Sequence, residues 1–285
     1  MTTAHDWTGK IGDVWAQEWH RTDRSFAVLT HHLNAAILAA ATPETRTVLD
    51  IGCGAGATSI ATAQALPGAQ ITGIDLSPTL IAIAETRAEA QSNASFRCAD
   101  ITAAAPEHAP VDLYASRHGV MFFADPTAAF ATLASAASPG AALVFSCFAE
   151  RAANSWAVET VAAAGGDQAA PESTTPGPFA FSDPVRIAAI LEAAGWHATD
   201  PQRIDFAYRA GQGHDPIADA LDYFRRIGPA ASLIRDAAPL EREGHVARLT
   251  QVCERRRIGD AVDFPAAAWI WTARKAAIAQ GNTAS

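Results

Sequence analysis

The 285-residue chain holds no apolar run near the roughly 18 residues that a membrane-spanning helix requires. The best stretch, LNAAILAAA at 33–41, is too short and suits a buried helix end. The beginning, MTTAHDWTGKIGDVWAQEW, is polar and acidic and lacks the apolar core of a signal peptide. Cysteine is sparse. Cys53, Cys98, Cys147 and Cys253 lie far apart, with no CxxC and no Cys/His metal spacing, so reduced thiols, a cytoplasmic setting and no metal site are expected. A basic field is missing too. The formal net charge is −9, and the densest cationic cluster, Arg255-Arg256-Arg257, is flanked by Glu254 and Asp260 and reads as a solvated helix face. That balance speaks against nucleic acid as a partner. Charged residues make up only 18% of the chain, whereas 49% is hydrophobic, enough for a full core.

Residues 11–41 read as helical, with Ile11, Val14, Trp15 and Trp19, then Phe26, Leu29, Leu33 and Ile37, at helix-like spacing. Pro43 closes the segment. A regular alternation follows. Strands are expected at 47–51, 70–76, 94–98, 111–116 and 141–148, with helices at 57–66, after Ser77-Pro78, and at 125–138 behind Asp125-Pro126. This order predicts an α/β domain with a doubly wound, Rossmann-like sheet of seven strands, mostly parallel with an antiparallel last strand. The whole of 1–285 is read as one domain: a helical cap at 1–42, a core at 47–212 and 260–276, and a helical lid insert at 213–259 between the last two strands. The stretch 162–181 is rich in Gly, Pro, Ser and Thr and reads as a long loop able to act as a lid.

The sequence VLDIGCGAGATS at 48–59 places Gly52, Gly54 and Gly56 just behind an apolar strand that ends in Asp50. Glycine lets backbone approach a ligand closely, and the following helix offers free N–H groups. A dinucleotide pyrophosphate uses such a loop, and GxGxxA is loosely satisfied here, so the glycines alone leave a nicotinamide cofactor open. Asp50 weighs against it, because a carboxylate would repel a pyrophosphate and suits a cationic ammonium or sulfonium. Asp75 and Asp100 each fall 25 positions after the last acid, at successive strand ends. Asp75 is placed to accept from ribose hydroxyls and Asp100 from an adenine amino group. The plain alternatives for each are a helix cap or a solvated loop acid. With Ser116, at the end of the next strand, they are expected to line one crevice.

The segments VLDIGCGAG, ITGIDLSP and CADI resemble the first three motifs of class I S-adenosylmethionine-dependent methyltransferases, over roughly 47–148. Residues 117–148 resemble a bacterial subgroup related to ubiquinone/menaquinone-type C-methyltransferases, which commonly reads SRFGVMFF and then PGG. Here His118 replaces the phenylalanine and Ala141 the second glycine. The resemblance implies that S-adenosylmethionine is the cofactor and S-adenosylhomocysteine the product. It implies that Asp50, Gly52 and Gly54 hold the methionine part, Asp75 and Leu76 the ribose, and Asp100 and Ile101 the adenine; Cys53 and Ser116 are counted with them.

His118 lies near the expected transfer site, as a base with the ordinary imidazole pKa near 6.5 or as a group that orients the acceptor. The alternative is a histidine bonded to neighbouring backbone. Trp15 is expected in the core and Trp19 as part of a lid. Arg117 is set to meet an acidic acceptor or a loop salt bridge, and Tyr223 to line an acceptor pocket. The expected activity is methyl transfer to a small-molecule acceptor in an enclosed pocket, with a homodimer as the assembly considered. A cofactor-binding protein without turnover, a peptide or protein methyltransferase, and a nicotinamide-dependent oxidoreductase stand as the other readings.

Overall fold

The structure, a computed structural model, describes residues 7–167 and 174–275. Positions 168–173 of the expected loop and position 276 of the expected core lie outside the described residues.

The N-terminal segment folds as three helices, α1 (Lys10–Gln17), α2 (Trp19–Ser25) and α3 (Ala27–Ala40). In α3, Leu29, Leu33, Ile37 and Ala40 recur on one face and are buried. The central strands are β1 (Thr47–Ile51), β2 (Gln70–Asp75), β3 (Ala94–Cys98), β4 (Val111–Arg117) and β5 (Ala137–Phe148), all parallel, in the order β3-β2-β1-β4-β5. β1 and β4 read as continuous apolar runs because helices cover both faces of a parallel sheet. Proline-led helices connect the strands. Ser77, Asp125 and Asp183 each accept a hydrogen bond from the first turn of the helix that starts at the next residue, Pro78, Pro126 and Pro184.

The seven strands expected from the sequence are nine among the described residues. β9 (Ala261–Lys275) runs antiparallel beside β5, as expected, and carries both β6 (Trp196–Ala198) and β7 (Gln202–Gln212) along its other side. Pro201 separates these two, since it has no N–H for the ladder. β8 (Arg257–Ile258) is a two-residue partner of the first residues of β9. The insert expected at 213–259 divides into three helices, Pro216–Phe224, Pro229–Asp236 and Pro239–Arg256. Each break falls at a proline, and Gly228 (φ 93°) makes one of the turns. Among the described residues no helix is long and apolar enough to cross a membrane.

The strand order reverses between β1 and β4. At the carboxyl ends of the strands this leaves a crevice, which α1 and α2 cover.

Candidate functional site

That crevice is a cavity of about 630 Å³. One half is built from strand ends. Asp50, the Gly52-Cys53-Gly54 loop, Asp75, Leu76, Asp100 and Ile101 all line it. β1 delivers Asp50 to a buried position, where Oδ2 accepts from the Ser59 hydroxyl at 2.6 Å and Oδ1 has no protein partner. Burial pushes this carboxyl up to about 7, against the hydrogen bond from Ser59 and the charge of Arg117, which favour the ionised form.

Gly52 (φ 62°) and Gly54 (φ 53°) hold left-handed backbone. A Cβ on Gly52 would stand 3.0 Å from the Gly119 Cα, and one on Gly119 would stand 2.5 Å from the Ile51 carbonyl oxygen, so the loops after β1 and β4 touch backbone to backbone. At Gly54 a Cβ would meet open space, and its N–H donates instead to Asp75 Oδ2 at 2.9 Å. Asp75 Oδ1 accepts from the Ser77 N–H, so this carboxylate ties the glycine loop to the end of β2. Burial raises its pKa above the usual range. Asp100 accepts from the backbone and side chain of Thr102, capping the turn Ile101–Ala104 at the cavity edge.

The other half is aromatic. Phe26, Phe148, Trp156 and Tyr208 line it together with His118 and Arg117, while Trp7, Trp15 and Trp19 come from the N-terminal segment. Trp15, expected in the core, packs against it and also lines the cavity wall. Trp19 lies under the Arg87 guanidinium, 3.9 Å from the ring centroid. Arg87 donates to the Ala55 carbonyl at 2.6 Å and to Asp23 at 2.8 Å. Asp23 also takes Arg117 at 2.6 Å, so of the two readings of Arg117 the structure places the salt bridge. From the helical insert, Ile227 and Gly228 reach the cavity.

Three expectations are corrected. Ser116 is fully buried behind the wall, where its hydroxyl donates to the Ile51 carbonyl at 2.8 Å and accepts from the Gly119 N–H at 3.1 Å; it fastens the two loops together instead of lining the crevice. Tyr223 is also off the wall, its hydroxyl 3.0 Å from the Tyr208 hydroxyl and 3.4 Å from that of Thr22. His118 does line the cavity, but its pKa is not the ordinary one. Burial and the charge of Arg117 lower it to about 3, so the imidazole is neutral and weakly basic at pH 7. Sequence reasoning missed Ser59, Asp23, Phe26, Phe148, Trp156, Tyr208 and Ser146. Their residue types are common in cores and helix faces, and no local motif marks them.

Comparison with known proteins agrees with the arrangement. A family described as methyltransferase domain matches residues 48–140. A ubiquinone biosynthesis O-methyltransferase of Idiomarina loihiensis is 32% identical over 155 residues, covering 52% of this chain and 62% of that protein. One from Coxiella burnetii is 35% identical over 100 residues, 35% of this chain and 42% of that protein. The chain thus spans less than two thirds of the length of these curated relatives. Among solved structures, the YcgJ protein of Bacillus subtilis superposes with a TM-score of 0.55 at 16% identity, covering 86% of this chain and 99% of that one. Magnesium protoporphyrin IX methyltransferase from Synechocystis PCC 6803, solved with bound SAM, gives 0.52 at 14% identity, covering 96% and 95%. Residues 48–140 thus match a methyltransferase domain, and the fold built around them is shared with a solved S-adenosylmethionine-bound methyltransferase.

Proposed function

We propose that the protein binds S-adenosylmethionine in the acidic half of the cavity and transfers its methyl group to a small-molecule acceptor in the aromatic half. The observation that carries this reading is the buried, unpartnered Oδ1 of Asp50 in front of a glycine loop. An unsatisfied buried carboxylate oxygen is costly, and a cationic amino-acid group would satisfy it. A pyrophosphate in the same place would meet two carboxylates, Asp50 and Asp75, both on the wall. Gly52 and Gly54 would accommodate the methionine part, with Asp75 and Leu76 beside the ribose and Asp100 and Ile101 beside the adenine. Both Asp75 and Asp100 keep lone pairs beyond the bonds they already accept.

When bound, the cofactor supplies a sulfonium-activated methyl group. The protein's own contribution is position and dryness. The Ser116 clamp fixes the β1 and β4 loops relative to each other, and the Trp7, Trp15 and Trp19 rings shield the crevice from water. An acceptor in the aromatic half would present its nucleophilic atom across the Gly52–Gly119 contact, where the two halves meet. The curated relatives are named as O-methyltransferases, which supports a small-molecule acceptor. The four unpaired cysteines support a reducing, intracellular setting.

Isothermal titration tests the reading. S-adenosylhomocysteine should bind at micromolar concentration and NADH should not; the reverse result overturns it. A methyl-release assay over candidate acceptors then separates an enzyme from a protein that only binds the cofactor.

A further inference from the structure

We propose that Ser59 is a positioning residue for the cofactor: its hydroxyl holds one carboxylate oxygen of Asp50 so that the other is presented, as an anion, to the ammonium of the methionine part. The proposal rests on the methyltransferase reading above and adds the residue that orients its anion.

In the sheet Asp50 of β1 lies beside Gly73 of β2, and Gly73 beside Phe96 of β3. Residues in register on parallel strands share a face. On that face Gly73 presents no side chain. A Cβ there would stand 2.6 Å from Phe96 Cδ1 and 2.8 Å from the Ser59 hydroxyl oxygen. A glycine inside a strand weakens it, and here the missing side chain is the room that Ser59 uses. Ser59 sits in the first turn of the helix Ala57–Ala65 and is fully buried. From there its hydroxyl donates to Asp50 Oδ2 at 2.6 Å, a distance typical of a bond to a charged acceptor. The Ser59 backbone N–H faces the same carboxyl and favours its charged form, as does the positive end of the helix.

The charged groups around Asp50 act at longer range. Arg117, at the end of β4, favours the anion but is itself bonded to Asp23 and Thr30. Asp75, at the end of β2, opposes it while accepting from Gly54 and Ser77. The Cys53 thiol, kept protonated by burial, adds no charge. Burial works against the anion and brings the carboxyl to about 7. Near neutral pH one hydrogen bond therefore decides how much of the protein carries the charge that an ammonium needs. Ser59 also decides which oxygen is left over. With Oδ2 tied back to the helix, Oδ1 remains without a partner on a residue that lines the cavity. A serine that merely packed would alter affinity by the same factor at every pH.

The full chain is titrated calorimetrically with S-adenosylhomocysteine between about pH 6 and 9, as wild type and as Ser59→Ala, a change that suits a helix. Wild-type affinity should weaken as pH falls through about 7, because Asp50 takes up its proton there. Ser59→Ala removes a bond made to the charged form, so its fall should begin about one pH unit higher or more. The ratio of variant to wild-type dissociation constants should then be about five to ten at pH 6–7 and approach one by about pH 9. The ligand's own amine titrates equally in both and cancels. 5′-Methylthioadenosine, which keeps the nucleoside and lacks the amino-acid part, should bind both proteins alike. A ratio that is constant across pH, an unchanged affinity in Ser59→Ala, or an equal loss for 5′-methylthioadenosine overturns the proposal. Where circular dichroism shows Ser59→Ala unfolded, Ser59→Cys, close in size and a weaker donor, is read in the same way. Wild-type protein that ignores S-adenosylhomocysteine removes the parent reading and this one with it, whereas cofactor binding with any of the overturning results removes this one alone.

Discussion

At the scale of single residues, Asp50 sets function against stability. Its carboxyl is raised from 3.8 to about 7 in the folded chain, so between those values the folded state keeps a proton that the unfolded state has lost. Stability contributed by this group therefore falls as pH climbs from about 4 to 7 and stays low above. Asp50→Asn removes the penalty without changing size. It should raise stability at pH 8 by up to about 4 kcal/mol, a gain of several degrees in Tm that vanishes near pH 4, as calorimetric melting across pH would show. The same change should weaken S-adenosylhomocysteine binding at least about tenfold, because the ammonium loses its ionised partner. A cationic ligand also lowers the Asp50 pKa, so titrations at pH 6 in buffers of different ionisation heat should show about one proton released per site. A variant that gained stability and kept full affinity would mean that Asp50 does not face the ligand.

Among the elements, the contact between the loops after β1 and β4 is held by one hydroxyl. Ser116→Ala leaves the Ile51 carbonyl and the Gly119 N–H without their partner, which should cost about 1–3 kcal/mol in urea unfolding and loosen the cradle. The N-terminal helices are tied down by Asp23, which sits between Arg87 and Arg117. Asp23→Asn should speed S-adenosylhomocysteine release several-fold in stopped-flow tryptophan fluorescence while changing the association rate less, since the strap retains bound ligand. These elements were unevenly legible in the sequence. The helix starts at Ser77-Pro78, Asp125-Pro126 and Asp183-Pro184 carry a chemistry that is local, and so does the acid-then-glycine turn at 50–54. Ser116 misled because a strand buried on both faces has no alternation to tell which way its last residue points. Tyr223 misled for a related reason: helical spacing says that a face is covered, not whether a neighbour or a cavity covers it. The depressed basicity of His118 comes from burial first and the Arg117 charge second, and the burial is not legible locally because the rings against the imidazole include Phe26 and Phe148, distant in sequence and brought there by tertiary packing.

Over the molecule as a whole, Cys98 is exposed while Cys53, Cys147 and Cys253 are buried. A thiol-reactive dye should therefore label one equivalent rapidly in the native protein and four after denaturation; rapid native labelling of two or more would contradict the packing around the glycine loop, β5 or the helix Pro239–Arg256. The sheet's largest-scale feature is β9, seated between β5 and β7 and hydrogen-bonded to both. Those two strands are synthesised well before residues 261–275, so on the ribosome each waits with an open edge for a partner not yet translated. The acidic half of the cavity, built within the first hundred residues or so, can assemble early, but the chain cannot close its sheet until that late strand slides in between. Translation arrest just short of it would release a nascent chain with two bare strand edges, a natural client for chaperones.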